Sequence, residues 1–325
     1  MEDELFERRT DLSKLSTAVE QIKTTLAKVI VGQQDSIELL IAGILADGHI
    51  LIEGVPGIAK TLTAKLIAKS IDAKYSRIQF TPDLMPSDIL GTSVFNPKTT
   101  GFEFKHGPIF GNIILIDEIN RAPAKTQSAL FEVMEERQLT IDGQTYKMEE
   151  PFTVLATQNP VEHEGTYRLP EAQLDRFIFK IEIKYPSLDE EIAILTRHHQ
   201  HKTNDQLAEI TPVLSGQEIV ALRSQVLGLH VEDKLLIYVA KIIHESRNNK
   251  SLFLGGSPRA SLAIINAAKA LAAIRGRDFV TPDDLGYAAA PVLRHRIMLT
   301  PDKEMEGATP DDVIAQIIEK IEIPR

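Results

Sequence analysis

Cysteine is absent from all 325 residues, which excludes disulfides, thiol nucleophiles and cysteine metal sites and leaves the redox compartment undetermined. Zinc-ligand spacing is missing as well. The nine histidines include no His-x-x-x-His or His-Glu-x-x-His pattern, so His198, His199 and His201 are read as a solvated helix end. No apolar run approaches the ~18 residues that a membrane-spanning helix needs. The chain opens Met1-Glu2-Asp3-Glu4, without the basic and apolar leader of a secretory signal. A soluble cytoplasmic protein with no membrane insertion is expected. Positive charge is in deficit, with 36 Lys and Arg against 46 Asp and Glu and a net charge of −10. That balance argues against nucleic acid as the main ligand, because such binding needs a positive contact face. The hydrophobic share of 43% and charged share of 25% are ordinary for a soluble globular protein. The length accommodates one or two domains.

What is present centres on Gly54-Val55-Pro56-Gly57-Ile58-Ala59-Lys60-Thr61. A short apolar run, His49–Glu53, precedes it and reads as a buried parallel strand; Leu62–Ala68 follows with helical spacing. Strand, glycine-bearing loop and Lys-Thr opening a helix form the context of a phosphate-binding loop. Backbone N–H groups in such a loop point inward and hold phosphate oxygens. Lys60 would reach the β- and γ-phosphates, and the Thr61 hydroxyl would ligate Mg²⁺. Ala59 stands where the usual pattern has a glycine. A Cβ there requires negative φ, which its place at the start of the helix leads us to expect.

Asn112–Glu118 is the second strong signal: four apolar residues of a central strand end in two carboxylates. In open α/β sheets, ligands bind outside the carboxyl ends of the strands. Asp117 would hold Mg²⁺ and Glu118 would polarise an attacking water. Phe152–Thr157 reads as another strand, ending in Gln158-Asn159-Pro160, where an amide can align water or sense the γ-phosphate. Further strands are expected at 75–80 and 177–183, giving a mostly parallel sheet of about five strands with flanking helices. Before the loop, residues 11–29 carry a narrow apolar seam (Leu12, Leu15, Val19, Ile22, Leu26, Val29) that suits a helix packed on its own domain, and Ile37–Leu45 suits a second. A hairpin is expected at about 93–104, its phenylalanines forming either a local cluster or a contact surface. Another is expected at about 139–147, around Asp142-Gly143. Arg168 and Arg176 flank a short helix at 170–174.

Composition shifts at Tyr185-Pro186-Ser187, dividing residues 1–185, an α/β nucleotide-binding domain, from 186–325, a smaller all-α domain. Helices are expected there at about 188–200, 215–227, 231–247, 258–274 and 282–295, several opened by Ser or Thr caps. Arg259 falls in the first turn of the fourth. A cation there opposes the helix dipole, which a nearby anion would offset, so Arg259 is a phosphate candidate.

These stretches together resemble the AAA+ ATPases, and more narrowly the MoxR family. The resemblance rests on Val31-Gly32-Gln33, the loop 54–61, Ile116–Pro123, Ala156–Pro160, Leu169–Phe177 and Gly256–Ala260, and so covers nearly the whole chain. It implies a phosphate-loop NTPase domain followed by a helical lid. Segment 29–33, with Val31 and Gly32, would line the adenine pocket of ATP, beside Gly54–Leu62. Asn159 would be the sensor 1 amide and Arg259 the sensor 2 arginine. Arg176, or alternatively Arg168, would be the finger reaching a neighbour's γ-phosphate. The two hairpins look like insertions facing a central pore. The resemblance further implies a homo-oligomeric ring, usually a hexamer, that uses ATP and Mg²⁺ to remodel a protein client or insert its metal or cofactor, with a von Willebrand A-type domain protein as partner. Two alternatives are a nucleic-acid-dependent motor, disfavoured by the acidic balance, and a slow nucleotide-dependent binding switch, disfavoured by Glu118.

Overall fold

The computed structural model describes residues 11–55, 57–160, 166–200 and 210–324. Its centre is a five-stranded parallel sheet: β1 (His49–Glu53), β2 (Tyr75–Gln79), β5 (Ile113–Asp117), β8 (Thr153–Gln158) and β9 (Phe177–Glu182), in the order β2-β5-β8-β1-β9. Side chains alternate between its faces. Ile50, Ile52, Ile113, Leu115 and Leu155 enter one apolar cluster, while Leu51, Ile114, Ile116, Val154 and Ala156 enter another. Burial on both faces is why these strands read as continuous apolar runs rather than alternating ones.

The first cluster joins the two halves of the chain. Helices α1 (Ser13–Ala27) and α2 (Gln34–Leu45) turn Leu15, Val19, Ile22 and Leu26, then Ile37, Leu40 and Ile44, into it. α3 (Lys60–Ser70) follows β1 and contributes Leu66 and Ile67. On the other face, α4 (Pro86–Leu90) and α5 (Ala124–Glu136) cover the sheet, with Leu130, Phe131, Val133 and Met134 buried. Two hairpins project from this layer: β3 (Gly91–Asn96) with β4 (Gly101–His106), and β6 (Gln138–Ile141) with β7 (Gln144–Lys147). Left-handed Asp142 and Gly143 turn the second. A stack of Phe104 on Tyr146, with ring centroids 4.6 Å apart, fastens the hairpins together, and Phe95 and Phe102 stay exposed.

After α6 (Glu171–Leu174) and β9, the chain is helical: α7 (Leu188–Gln200), α8 (Gly216–Leu227), α9 (Asp233–Asn248), α10 (Pro258–Ile274), α11 (Pro282–Leu293), α12 (Pro301–Met305) and α13 (Pro310–Lys320). The last two were not expected. Thr309 caps α13 with Asp312 just as Thr281 caps α11 with Asp284. Two short strands, β10 (Leu252–Leu254) and β11 (Met298–Leu299), pair in this region. The alanine-rich α10 packs on α1 and α2, and Arg223 of α8 donates to Ile44 O at 2.8 Å and to Thr153 Oγ1 at 3.1 Å.

Candidate active site

The carboxyl ends of β1, β5 and β8 bring the loop and the two acids together. Lys60 Nζ donates to Gly54 O and, at 3.5 Å, to Gln158 O. Thr61 Oγ1 lies 3.3 and 3.4 Å from the two Asp117 oxygens, and Thr157 Oγ1 lies 3.2 Å from Asp117 Oδ1. Asn159 is buried immediately beyond Gln158, whose carbonyl accepts from Gly54 N at 3.4 Å. Asp117 is buried, whereas the Glu118 side chain stays about one-third open to solvent, at 34%. Glu118 adopts left-handed backbone (φ 58°), which turns its side chain out of the strand, and its N–H donates to Thr157 Oγ1 at 3.1 Å.

The expectation for Ala59 is overturned: its φ is +60°, alongside +87° at Gly57. The loop needs left-handed residues to aim successive N–H groups inward, and that requirement overrides the ~1–2 kcal/mol preference of an L-residue for negative φ. Pro56 lies outside the described residues.

Several partners of the acids were not foreseen. Arg77 Nε donates to Asp117 Oδ2 at 2.7 Å, and Gln79 Nε2 to Glu118 Oε2 at 2.8 Å. Arg121 Nε also lies 3.1 Å from that Glu118 oxygen. The alternation of β2 put Arg77 and Gln79 on one face; only the pairing of β2 with β5 showed which face meets the carboxylates.

A cavity of about 730 Å³ opens beside the loop, walled by residues 29–36 (with Val31, Gly32 and Gln33), Gly57, Ile58, Ala59, Leu62 and residues 182–186. Its mostly apolar walls fit a planar base, and the loop next to it fits phosphates. The Thr61 hydroxyl against Asp117 is a hard oxygen set suited to Mg²⁺.

Arg176 and Arg259 are elsewhere. Arg176 precedes Phe177, which pairs with His49 at the amino end of β1, whereas the loop leaves the carboxyl end at Glu53. Four strand steps, about 13 Å, separate those ends, farther than one arginine side chain spans. Arg176 Nη1 donates to Phe131 O at 2.6 Å and lies 3.4 Å from Glu135 Oε2. Arg259 Nη2 bonds the other Glu135 oxygen at 2.9 Å, so the two arginines share one carboxylate. Arg168 is exposed beside Tyr167, whose N–H donates to Asn120 O, near the carboxyl end of β5. The two finger candidates therefore sit at opposite ends of the sheet.

A doubly covered parallel sheet with a glycine-bearing Lys-Thr loop after β1, paired acids at the end of β5 and a helical second half is the architecture of an AAA-type nucleotide-binding protein. Comparison with known sequences and structures agrees. Residues 49–179 match the family model "ATPase family associated with various cellular activities (AAA)", and residues 244–317 match an AAA lid domain. The chain is 46% identical to YeaC of Bacillus subtilis over 95% of both chains. It is 43% identical to the chaperone MoxR1 of Mycobacterium tuberculosis, over 97% of this chain and 84% of that one. A crystal structure of a Cytophaga hutchinsonii protein proposed to be an ATPase superposes with a TM-score of 0.87 at 40% identity, over 95% and 96% of the two chains. The chain belongs to the MoxR family of AAA+ ATPases. No helix among the described residues is long and apolar enough to cross a membrane.

Proposed function

We propose that this protein hydrolyses ATP as a subunit of a homo-oligomeric ring, a hexamer, and couples hydrolysis to remodelling or assembly of a protein client in the cytoplasm. The observation that carries the reading is the convergence of Lys60, Thr61, Asp117 and Glu118 at the carboxyl ends of β1 and β5, beside a largely apolar cavity of about 730 Å³. Lys60 binds the β- and γ-phosphates. Thr61 and Asp117 hold Mg²⁺, which supplies charge neutralisation at the transferred phosphoryl group. Glu118 accepts the proton of the attacking water, after yielding its present contact with Gln79, and Asn159 orients that water. Residues 1–185 carry this chemistry, and 186–325 act as the lid.

The separation of Arg176 from its own loop supports a site completed by the next subunit. Arg176 serves as the finger, with Arg259 beside it on Glu135; Arg168 is the alternative. The exposed Phe95 and Phe102 on the fastened hairpins suit client contact, and a von Willebrand A-type domain protein is the partner this family membership suggests. The test is the Mg²⁺-dependent ATPase rate with equilibrium ATP binding. Wild type should turn over, Lys60→Ala should lose ATP binding, and Glu118→Gln should bind ATP and assemble without turnover. Micromolar ATP affinity in Lys60→Ala, or wild-type turnover in Glu118→Gln, contradicts the assignment.

A further inference from the structure

The segment that leads into Arg176 is held by the lid of the same chain. β9 is an edge strand of the sheet, so its outward carbonyls need donors from elsewhere. The lid supplies them from the end of α11. Arg294 Nη1 donates to Lys180 O at 3.2 Å, and His295 Nε2 lies 2.9 Å from Phe177 O. Arg296 is 8% exposed and uses all five of its N–H donors. Nε bonds Asp175 Oδ1 at 2.6 Å, and Nη2 bonds Asp175 O at 2.9 Å and Phe177 O at 2.6 Å. Nη1 bonds Ile178 O at 3.1 Å and Val292 O at 2.6 Å. Three of the five bonds thus fall on Asp175 and Phe177, the residues on either side of Arg176, and a fourth on Ile178. The start of α10 adds Ser257 Oγ to Asp175 Oδ2 at 3.3 Å.

We propose that Arg296 is the positioning residue for Arg176: through Asp175, Phe177 and Ile178 the lid of each subunit sets the reach of the arginine it offers to the next. This rests on the reading of Arg176 as a finger acting between subunits. The planar fork explains the residue type, since an ammonium cannot satisfy carboxylate and carbonyls arranged around one plane. The arrangement also gives the finger a connection to its own subunit's nucleotide. β9 runs from the Arg176 end to Glu182, which with Ile183 walls the base cavity, and Arg294 grips it midway. A nucleotide-driven shift of lid or cavity wall in one subunit would therefore alter hydrolysis in its neighbour.

Arg296→Lys keeps the charge and removes the fork; Asp175→Asn keeps the shape, leaving an amide oxygen for Arg296. Both are measured as full-length rings for kcat, KM, equilibrium ATP affinity and melting temperature, alone and after subunit exchange with Lys60→Ala. A misplacement of an ångström costs about 10²-fold, so kcat should fall by roughly 10- to 100-fold in Arg296→Lys. ATP affinity should stay within about twofold, because the phosphate loop is untouched. Mixing with Lys60→Ala, whose arginine is correctly held, should recover part of the rate. Should Arg296→Lys fail to fold, Asp175→Asn decides, with the same kcat-only loss expected. Unchanged kcat per assembled ring, loss of ATP affinity instead of kcat, or no recovery on mixing would overturn the proposal. Arg176→Ala separates the two levels. Full activity there removes the finger itself, whereas an inactive Arg176→Ala beside a normal Asp175→Asn removes only the role of Arg296.

Discussion

Asp284→Ala should cost about 2.5–4 kcal/mol of stability, the largest loss we expect from any single polar substitution in the lid. Asp284 is fully buried at the start of α11 and collects five donors on one carboxylate. Arg277 reaches it at 2.6 and 2.7 Å, Arg275 at 2.9 Å, Thr281 N at 3.0 Å and Thr281 Oγ1 at 2.8 Å. The lost capping box accounts for ~1 kcal/mol, and the lost charge-assisted bonds for about 1.5–3 more. The total stays moderate because the abandoned guanidinium groups are 34% and 27% exposed and can rehydrate, and Arg275 retains Glu38 at 2.9 Å. The pH dependence has a definite sign. Burial alone would raise the Asp284 pKa, but the bonds from Arg277 and Thr281 outweigh it, and the folded value lies below the ordinary 3.8. A depressed carboxyl contributes stability above its unfolded pKa and loses it as pH falls through the folded value. The gap between wild type and variant should be constant from pH 7 to about 5 and narrow below about 4. Urea unfolding followed by circular dichroism measures it. A gap under ~1 kcal/mol at pH 7, or one that widens in acid, would refute this account of the lid's anchor.

Ala59→Gly should change stability by less than about 1 kcal/mol, because relief of left-handed strain offsets the added freedom of glycine in the unfolded chain; ATP affinity should hold or tighten, and a large loss in melting temperature would contradict the φ of +60°. Single- and double-stranded DNA should leave the ATPase rate unchanged across a salt series, since phosphate contacts would appear as a steep salt dependence.

Most of the sheet was legible because the two-faced burial of β1, β5 and β8 writes itself as uninterrupted apolar runs bounded by loops. That the 54–61 loop and the paired acids meet was legible for a related reason: each motif is local in sequence and ends or follows a central strand. What stayed hidden is pairing at a distance. Nothing in the sequence couples Arg77 to Asp117, Arg259 to Glu135 or Arg296 to Asp175, because those pairs depend on strand order and on where the lid lands. The φ of Ala59 was misjudged for a different reason, in that the phosphate loop's need outweighed a residue's own preference. The missed helix α13 did carry a signal. Thr309-Pro310-Asp311-Asp312 repeats the pattern of Thr281-Pro282-Asp283-Asp284 that opens α11.

The central claim is that one active site takes its loop from one subunit and its arginine from the next. Arg176→Ala retains an intact loop and Lys60→Ala retains an intact arginine, and each ring on its own should be inactive, since a finger is worth about 10³–10⁵ in rate. Measuring ATPase activity after mixing the two inactive proteins under subunit exchange tests this directly. Partial recovery of activity is predicted, from junctions that join the good loop of one to the good arginine of the other. A mixture that stays inactive despite demonstrated co-assembly, or full activity in Arg176→Ala alone, would contradict it.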